Sequence, residues 1–136
     1  MEEFIYKSET LCIVTQFANG GNFESFMKNK YIFSEEETLY YFTMLLLALE
    51  YLHSKGIIHR DFKPSNIFLS LYPGDTRILK VGDFGLSKIN LDHMKMIMTE
   101  TLGLLTTPYY KAPEAFIRNA QLTSKVDIWA LGIILY

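Results

Sequence analysis

Apolar and polar positions divide the chain into short apolar runs set off by turn residues and one long stretch of helical period. Positions 4–6 and 11–17 read as two strands joined at Lys7-Ser8-Glu9-Thr10. The second is a continuous apolar run, which predicts burial. It leads into Ala18-Asn19-Gly20-Gly21-Asn22, where glycines permit positive φ. Positions 23–29 predict a short helix. Ser34-Glu35-Glu36-Glu37 opens a longer one, because Ser34 can cap the first turn while Glu37 reaches back to the cap. Leu39, Phe42, Leu46, Leu49 and Leu52 follow the helical period to about Ser54, and Leu45 and Ala48 widen that face. Lys55-Gly56 supplies a basic last turn and a terminating glycine.

Beyond that helix, Ile57-Ile58 and Ile67-Phe68-Leu69 bracket a polar loop in which Pro64 blocks helix continuation. Tyr72-Pro73-Gly74-Asp75 is a turn, and 77–81 predicts a strand that forms a hairpin with 67–69. Positions 86–107 carry no clean period and read as loop. A helical turn is predicted at 115–119. A last helix starts at Thr123-Ser124-Lys125-Val126-Asp127 and runs to Tyr136, apolar nearly all round, which predicts a place in a core. The fold class is α+β, and 136 residues suffice for one domain with a substantial core.

Charge narrows the partners. The formal net charge is −2 with both signs mixed, which argues against a nucleic-acid or membrane-surface partner. The lone Cys12 excludes an internal disulfide and fits a reducing compartment. Met1-Glu2-Glu3-Phe4 lacks the layout of a signal peptide, and the apolar runs 44–49 and 128–136 are too short to span a bilayer. An intracellular location is expected, in the cytoplasm first, with nucleus and cytoskeleton left open.

The candidate chemistry lies in His59-Arg60-Asp61-Phe62-Lys63-Pro64-Ser65-Asn66. Asp61 can accept a proton from a hydroxyl, Lys63 can reach a phosphate oxygen, and Asn66 can ligate a hard metal through its side-chain oxygen. Asp83-Phe84-Gly85 adds a second carboxylate beside a glycine. A base, a cation and two oxygen ligands suit phosphoryl transfer from a magnesium–nucleotide complex. His53 reads as a surface or packing histidine rather than a ligand. Asp127 reads as a helix-start acid favoured by the macrodipole.

These residues resemble the motifs of eukaryotic protein kinases: the catalytic loop H-R-D-x-K-x-x-N at 59–66, D-F-G at Asp83-Phe84-Gly85, and A-P-E at Ala112-Pro113-Glu114. Joint order and spacing carry the resemblance, since each tripeptide alone is weak. It implies a partial kinase fold, with 1–17 the end of the small lobe, 18–22 the hinge and 23–136 the first part of the large lobe. It implies Asp61, Lys63, Asn66 and Asp83 as catalytic residues, with Asn66 and Asp83 holding Mg²⁺. ATP would then meet Gln16, Phe17 and Ala18 at the hinge, Asn22 near the ribose and Phe68 under the adenine. Lys63, Ser65, Asn66 and Asp83 would complete its site. Thr15 falls at the gatekeeper position. His59 and Phe84 would be buried spine residues, and Asp127 would bond the backbone of the catalytic loop.

Lys63, two residues after Asp61, points to a serine/threonine kinase acting on protein hydroxyls. Asn66-Ile67-Phe68-Leu69, Thr107-Pro108-Tyr109-Tyr110 and 124–132 are similar to NIMA-related kinases. Arg60 beside the base suggests a phosphate acceptor on the Thr/Met-rich segment, with Thr99 and Thr101 leading, and hence an activating kinase as a partner. The family's Gly-Thr pair is here Thr106-Thr107, with Gly103 the nearest upstream glycine, a departure on the substrate-docking side. Thr107 would still reach Asp61 and Lys63. No glycine-rich phosphate loop, lysine-bearing strand or partner glutamate helix precedes the first strand. The chain stops inside its last helix, whose Ile128, Trp129, Leu131, Ile133, Ile134 and Leu135 would lack cover. The expectation is therefore a kinase fragment with little activity alone. The alternative is a non-catalytic binding module or inactive truncation product. A metal-dependent phosphohydrolase using Asp61 and Asp83 suits the chemistry, but no water-activating cluster accompanies them.

Overall fold

The computed structural model describes residues 3–7, 10–89 and 108–136. Strands β1 (Glu3–Lys7) and β2 (Thr10–Val14) pair antiparallel, Glu3 opposite Val14 and Lys7 opposite Thr10. β2 stops before Thr15, and its expected burial is not found: Ile13 is 54% exposed, and Phe17 just beyond is 84% exposed. Among the described residues the hairpin packs chiefly on itself, which leaves that run little to be buried against.

Helix α1 (Phe23–Lys30) is capped by Asn22, whose side chain accepts from the Ser25 N–H at 2.9 Å. Helix α2 (Glu35–Ser54) starts with the predicted capping box. The Ser34 hydroxyl accepts from the Glu37 N–H at 3.2 Å, and the Glu37 carboxylate accepts from the Ser34 N–H at 3.1 Å. The helix ends at Lys55, where Gly56 takes φ 70°. Its buried face is Tyr41, Leu45, Leu49 and Leu52; Leu39 and Leu46, expected inside, are exposed. The reason is aromatic. The Tyr41 ring packs 5.5–5.9 Å from the rings of Phe23, Phe26 and Phe33, and burying that cluster turns the helix away from Leu39 and Leu46.

Two short pieces follow. β3 (Ile57–Ile58) precedes the polar loop, and β4 (Ile67–Leu71) with β5 (Arg77–Val81) forms the predicted hairpin, Ile67 opposite Val81 and Leu71 opposite Arg77. Its turn closes with the Tyr72 N–H donating to the Thr76 carbonyl at 2.9 Å, Gly74 and Asp75 both at positive φ. β6 (Lys88–Ile89) pairs antiparallel with β3, so the segment read as loop contains a strand. Two-residue strands leave no period to detect.

The segment before α1 lies along β4. The Gly20 N–H donates to the Leu69 carbonyl and the Leu69 N–H to the Gly21 carbonyl, both at 2.8 Å; the Leu71 N–H donates to Asn19 Oδ1 at 2.7 Å. A Cβ on Gly20 would stand 2.8 Å from Leu69 Cβ, a separation real Cβ atoms do not show. Gly20→Ala is expected to cost about 1–3 kcal/mol through forced displacement of this segment. Thermal unfolding of the full-length variant reads it, and an unchanged midpoint contradicts the close approach.

Helix α3 (Lys125–Leu135) packs on α2. Val126, Asp127, Ala130 and Leu131 are buried, whereas Ile128, Trp129, Ile133 and Leu135 are exposed. The expected core helix is thus covered on one side only. Leu131, expected to be uncovered, is 2% exposed, and Ile134 packs against the core formed by Leu45, Leu49, Phe62, Ile67 and Leu69. No helix among the described residues is long and apolar enough to cross a membrane.

Candidate active site

The loop between β3 and β4 is fastened from α3 by one carboxylate. Asp127, 1% exposed, accepts the His59 N–H on Oδ2 and the Arg60 N–H on Oδ1, each at 2.9 Å. Oδ2 also meets His53 Nε2 at 2.8 Å. Arg60 holds φ 65°, a left-handed conformation costing about 1–3 kcal/mol for a non-glycine residue. The two bonds to Asp127 offset that cost. Asp127 also sits in the first turn of α3, so the helix-start reading and the loop-anchoring role hold together. His53, read as a packing or surface residue, ends α2 by bracing this anchor. Its partner lies 74 residues away, and no local spacing signals it.

His59 is fully buried. Its Nε2 lies 3.0 Å from the Gly82 carbonyl and its Nδ1 accepts the Asp61 N–H at 3.3 Å, a pairing that requires the neutral Nε2–H tautomer. The ring therefore ties the loop to the strand end that carries Asp83, the structural role expected of it. Phe84 lies 5.1 Å from the His59 ring but is 46% exposed, so it is not the buried residue expected.

Asp61, Lys63 and Asn66 come together as the spacing predicts. Asp61 Oδ2 receives the Lys63 ammonium at 2.8 Å and the Asn66 Nδ2–H at 2.9 Å. Asn66 Nδ2 also donates to the Asp61 carbonyl at 2.9 Å. Both contacts are to acceptors, so the amide nitrogen must face Asp61 and Oδ1 must face away. Pro64–Asn66 form one 3-10 turn, with Pro64 and Asn66 buried and Ser65 half-buried. The Asn66 carbonyl then accepts the Gly82 N–H at 2.9 Å, which brings Asp83 next to the loop. Asp83 is exposed at φ 58°, its Oδ1 accepting the Gly85 N–H at 3.3 Å.

This donor set fits Mg²⁺. The ion is satisfied by one or two protein oxygens with phosphates and water, and the Asn66 amide oxygen and the exposed Asp83 carboxylate are oxygens of that kind. Among the described residues no group of three or more His, Cys, Asp or Glu could hold a metal on its own.

The other expected nucleotide residues are spread over the segment before α1 and β4. Gln16 and Phe17 are exposed and Ala18 is half-buried. Asn22 forms a bridge to Phe68, and a Cβ on Gly82 would stand 2.9 Å from the Phe68 ring. Asn22 thus lies beside Phe68 while capping α1. Thr99, Thr101, Gly103, Thr106 and Thr107 lie outside the described residues. Arg60, expected to await a phosphate, donates from Nε to the Leu86 carbonyl at 2.6 Å. Burial pulls its pKa below the ordinary range, with Asp127 opposing the shift.

Sequence reasoning passed over Lys111. Partial burial lowers the pKa of its ammonium, the Asp61 carboxylate raises it and the Lys63 ammonium lowers it further. Its place next to Ala112-Pro113-Glu114 was the available signal.

The family model described as "Protein kinase domain" matches residues 1–136. The ovarian-specific serine/threonine-protein kinase Lok of Drosophila melanogaster is 37% identical over 100% of this chain and 28% of its own length. Mouse serine/threonine-protein kinase Nek4 is 38% identical over 93% of this chain and 15% of its own length. The chain spans less than a third of the length of the curated relatives it matches. Among solved structures, a chain of the yeast RNA Pol II CTD kinase CTDK-1 complex superposes with a TM-score of 0.77 at 27% identity, over 98% of this chain and 41% of that one.

Proposed function

The chain belongs to the protein kinase family, and on that premise we propose that the protein carrying it transfers the γ-phosphoryl group of ATP to serine or threonine hydroxyls of proteins. One observation carries the proposal: the Asp61 carboxylate is held between Lys63 at 2.8 Å and Asn66 at 2.9 Å. In this reading Asp61 takes the proton of the acceptor hydroxyl, and Lys63 moves from Asp61 toward the transferred phosphoryl group. Asn66 Oδ1 and Asp83 hold Mg²⁺. When bound, the ion neutralises charge on the phosphates. Segment 18–22 serves as hinge between a small-lobe end at 1–17 and a large-lobe portion at 23–136. Gln16, Phe17 and Ala18 meet the adenine over Phe68, with Asn22 near the ribose and Ser65 beside the phosphates. An activating kinase acting on Thr99 or Thr101 and an intracellular location belong to the same reading. The serine/threonine names of the relatives and the position of Lys63 support the choice of acceptor.

A second reading, a non-catalytic binding module, draws on the exposed apolar surface of Phe17, Ile128 and Trp129. Calorimetry separates the two. In the full-length protein Asp83→Ala is expected to weaken Mg·ATP binding at least about tenfold while changing metal-free ATP binding little. Equal losses with and without the ion contradict the metal assignment.

A further inference from the structure

Helix α2 is apolar on two sides. Tyr41, Leu45, Leu49 and Leu52 face the core, while Leu39, Tyr40, Leu46, Leu47 and Tyr51 lie on the opposite side, between 43% and 64% exposed among the described residues. A helix that covers a core on one side ordinarily carries polar residues on the other, so this outer face departs from the pattern of a solvated one. Its rows repeat every seven residues. Leu39 precedes Leu46 and Tyr40 precedes Leu47 by that interval, and Glu36, Thr43 and Glu50 form an exposed row between them. Seven-residue intervals are those at which two helices lying along one another stay in contact.

We propose that this face docks a basic amphipathic helix of another protein. Lysine or arginine side chains of the partner meet Glu36 and Glu50, and its apolar side chains lie on Leu39, Leu46 and Leu47. The inference does not rest on phosphoryl transfer. Charge selects the occupant. Among the described residues neither Glu36 nor Glu50 makes an ion pair, whereas Glu24 and Glu37 are taken by Lys28 and Lys30. Closing an apolar surface over an unpaired carboxylate is costly, and a counter-charge offsets much of that cost. Between Glu35 and Ser54 the helix holds no lysine or arginine, and Lys55 follows at its end. An antiparallel second copy could therefore serve Glu36 but not Glu50.

Spacing sets what the partner must present. Glu36 and Glu50 are fourteen residues apart, roughly 21 Å along the helix axis, so the partner's cations must recur at two seven-residue steps. The aromatic edge of the face is held in place. The Tyr40 hydroxyl donates to the Arg77 carbonyl at 3.2 Å, and the Lys55 ammonium stands 5.6 Å from the Tyr51 ring centroid, within cation–π range.

The test uses the full-length protein and three labelled synthetic peptides of about twenty residues, the length of α2, built from leucine, alanine and one charged residue. The first carries a leucine stripe with lysines at seven-residue intervals. The second has glutamate in place of lysine, and the third scrambles the first so that no stripe forms. Binding is read by fluorescence anisotropy and self-association by sedimentation velocity. Wild type is expected to bind the lysine peptide about three- to tenfold more tightly than the glutamate peptide, with the difference shrinking at about 1 M salt, and to bind the scrambled peptide more weakly. Glu36→Lys combined with Glu50→Lys should reverse the charge preference. Leu46→Ser combined with Leu47→Ser should weaken the lysine peptide about tenfold. All four positions are exposed, and matched melting curves establish folding. Equal affinity for all three peptides, binding that neither variant changes, or no binding of any peptide overturns the inference. A dimer that the leucine variant disperses assigns the face to a second copy and overturns it as well. A leucine variant that melts well below wild type assigns the face to the protein's own chain, with the same consequence.

Discussion

Asp61→Asn is expected to lower turnover by about 10²–10⁴-fold, the usual weight of a positioned general base, while leaving nucleotide affinity nearly unchanged. The substitution keeps shape and removes proton affinity. The backbone around position 61 is also held by Asp127, by His59 and by the Asn66 amide on the Asp61 carbonyl, so the loop should persist. The new amide oxygen can still accept from Asn66. Lys63 loses its charged partner but keeps its role toward phosphate. Steady-state phosphate transfer by the full-length variant, with ATP binding measured alongside, checks both halves. Wild-type turnover in the variant contradicts the assignment of Asp61 as base.

The second large effect is on stability. Asp127→Ala removes a carboxylate that serves the His59 N–H, the Arg60 N–H and His53 together. Deleting one partner of such a buried set typically costs about 3–5 kcal/mol. Release of Arg60 from its costly left-handed conformation would recover only part of that loss. A fall of roughly 10 °C in melting temperature is expected, with phosphate transfer lost even below the transition. A midpoint within one or two degrees of wild type contradicts the anchoring role.

What the sequence made legible was local. The capping box is written in Ser34 and Glu37, three residues apart, and the structure makes both of its bonds. The meeting of Asp61, Lys63 and Asn66 could be read because the three fall within one loop. The β4–β5 hairpin was marked by its turn residues. What escaped depends on partners distant in the chain. The face of α2 follows the aromatic cluster around Tyr41, which outweighs the leucine period. β6 consists of two residues that become a strand only against Ile57–Ile58. Burial of β2 was inferred from its apolar run, but burial requires a neighbour and its own hairpin supplies too little. His53 carries no motif, and its role comes from Asp127, 74 residues away in the chain.

Phosphoryl transfer is tested most directly by incubating the full-length protein with γ-labelled ATP, Mg²⁺ and a mixture of serine, threonine and tyrosine peptides, followed by phosphoamino-acid analysis. Label in phosphoserine or phosphothreonine, absent with Asp61→Asn, is the expected result. Label released only as inorganic phosphate, label in phosphotyrosine alone, or no turnover by the intact protein contradicts the assignment.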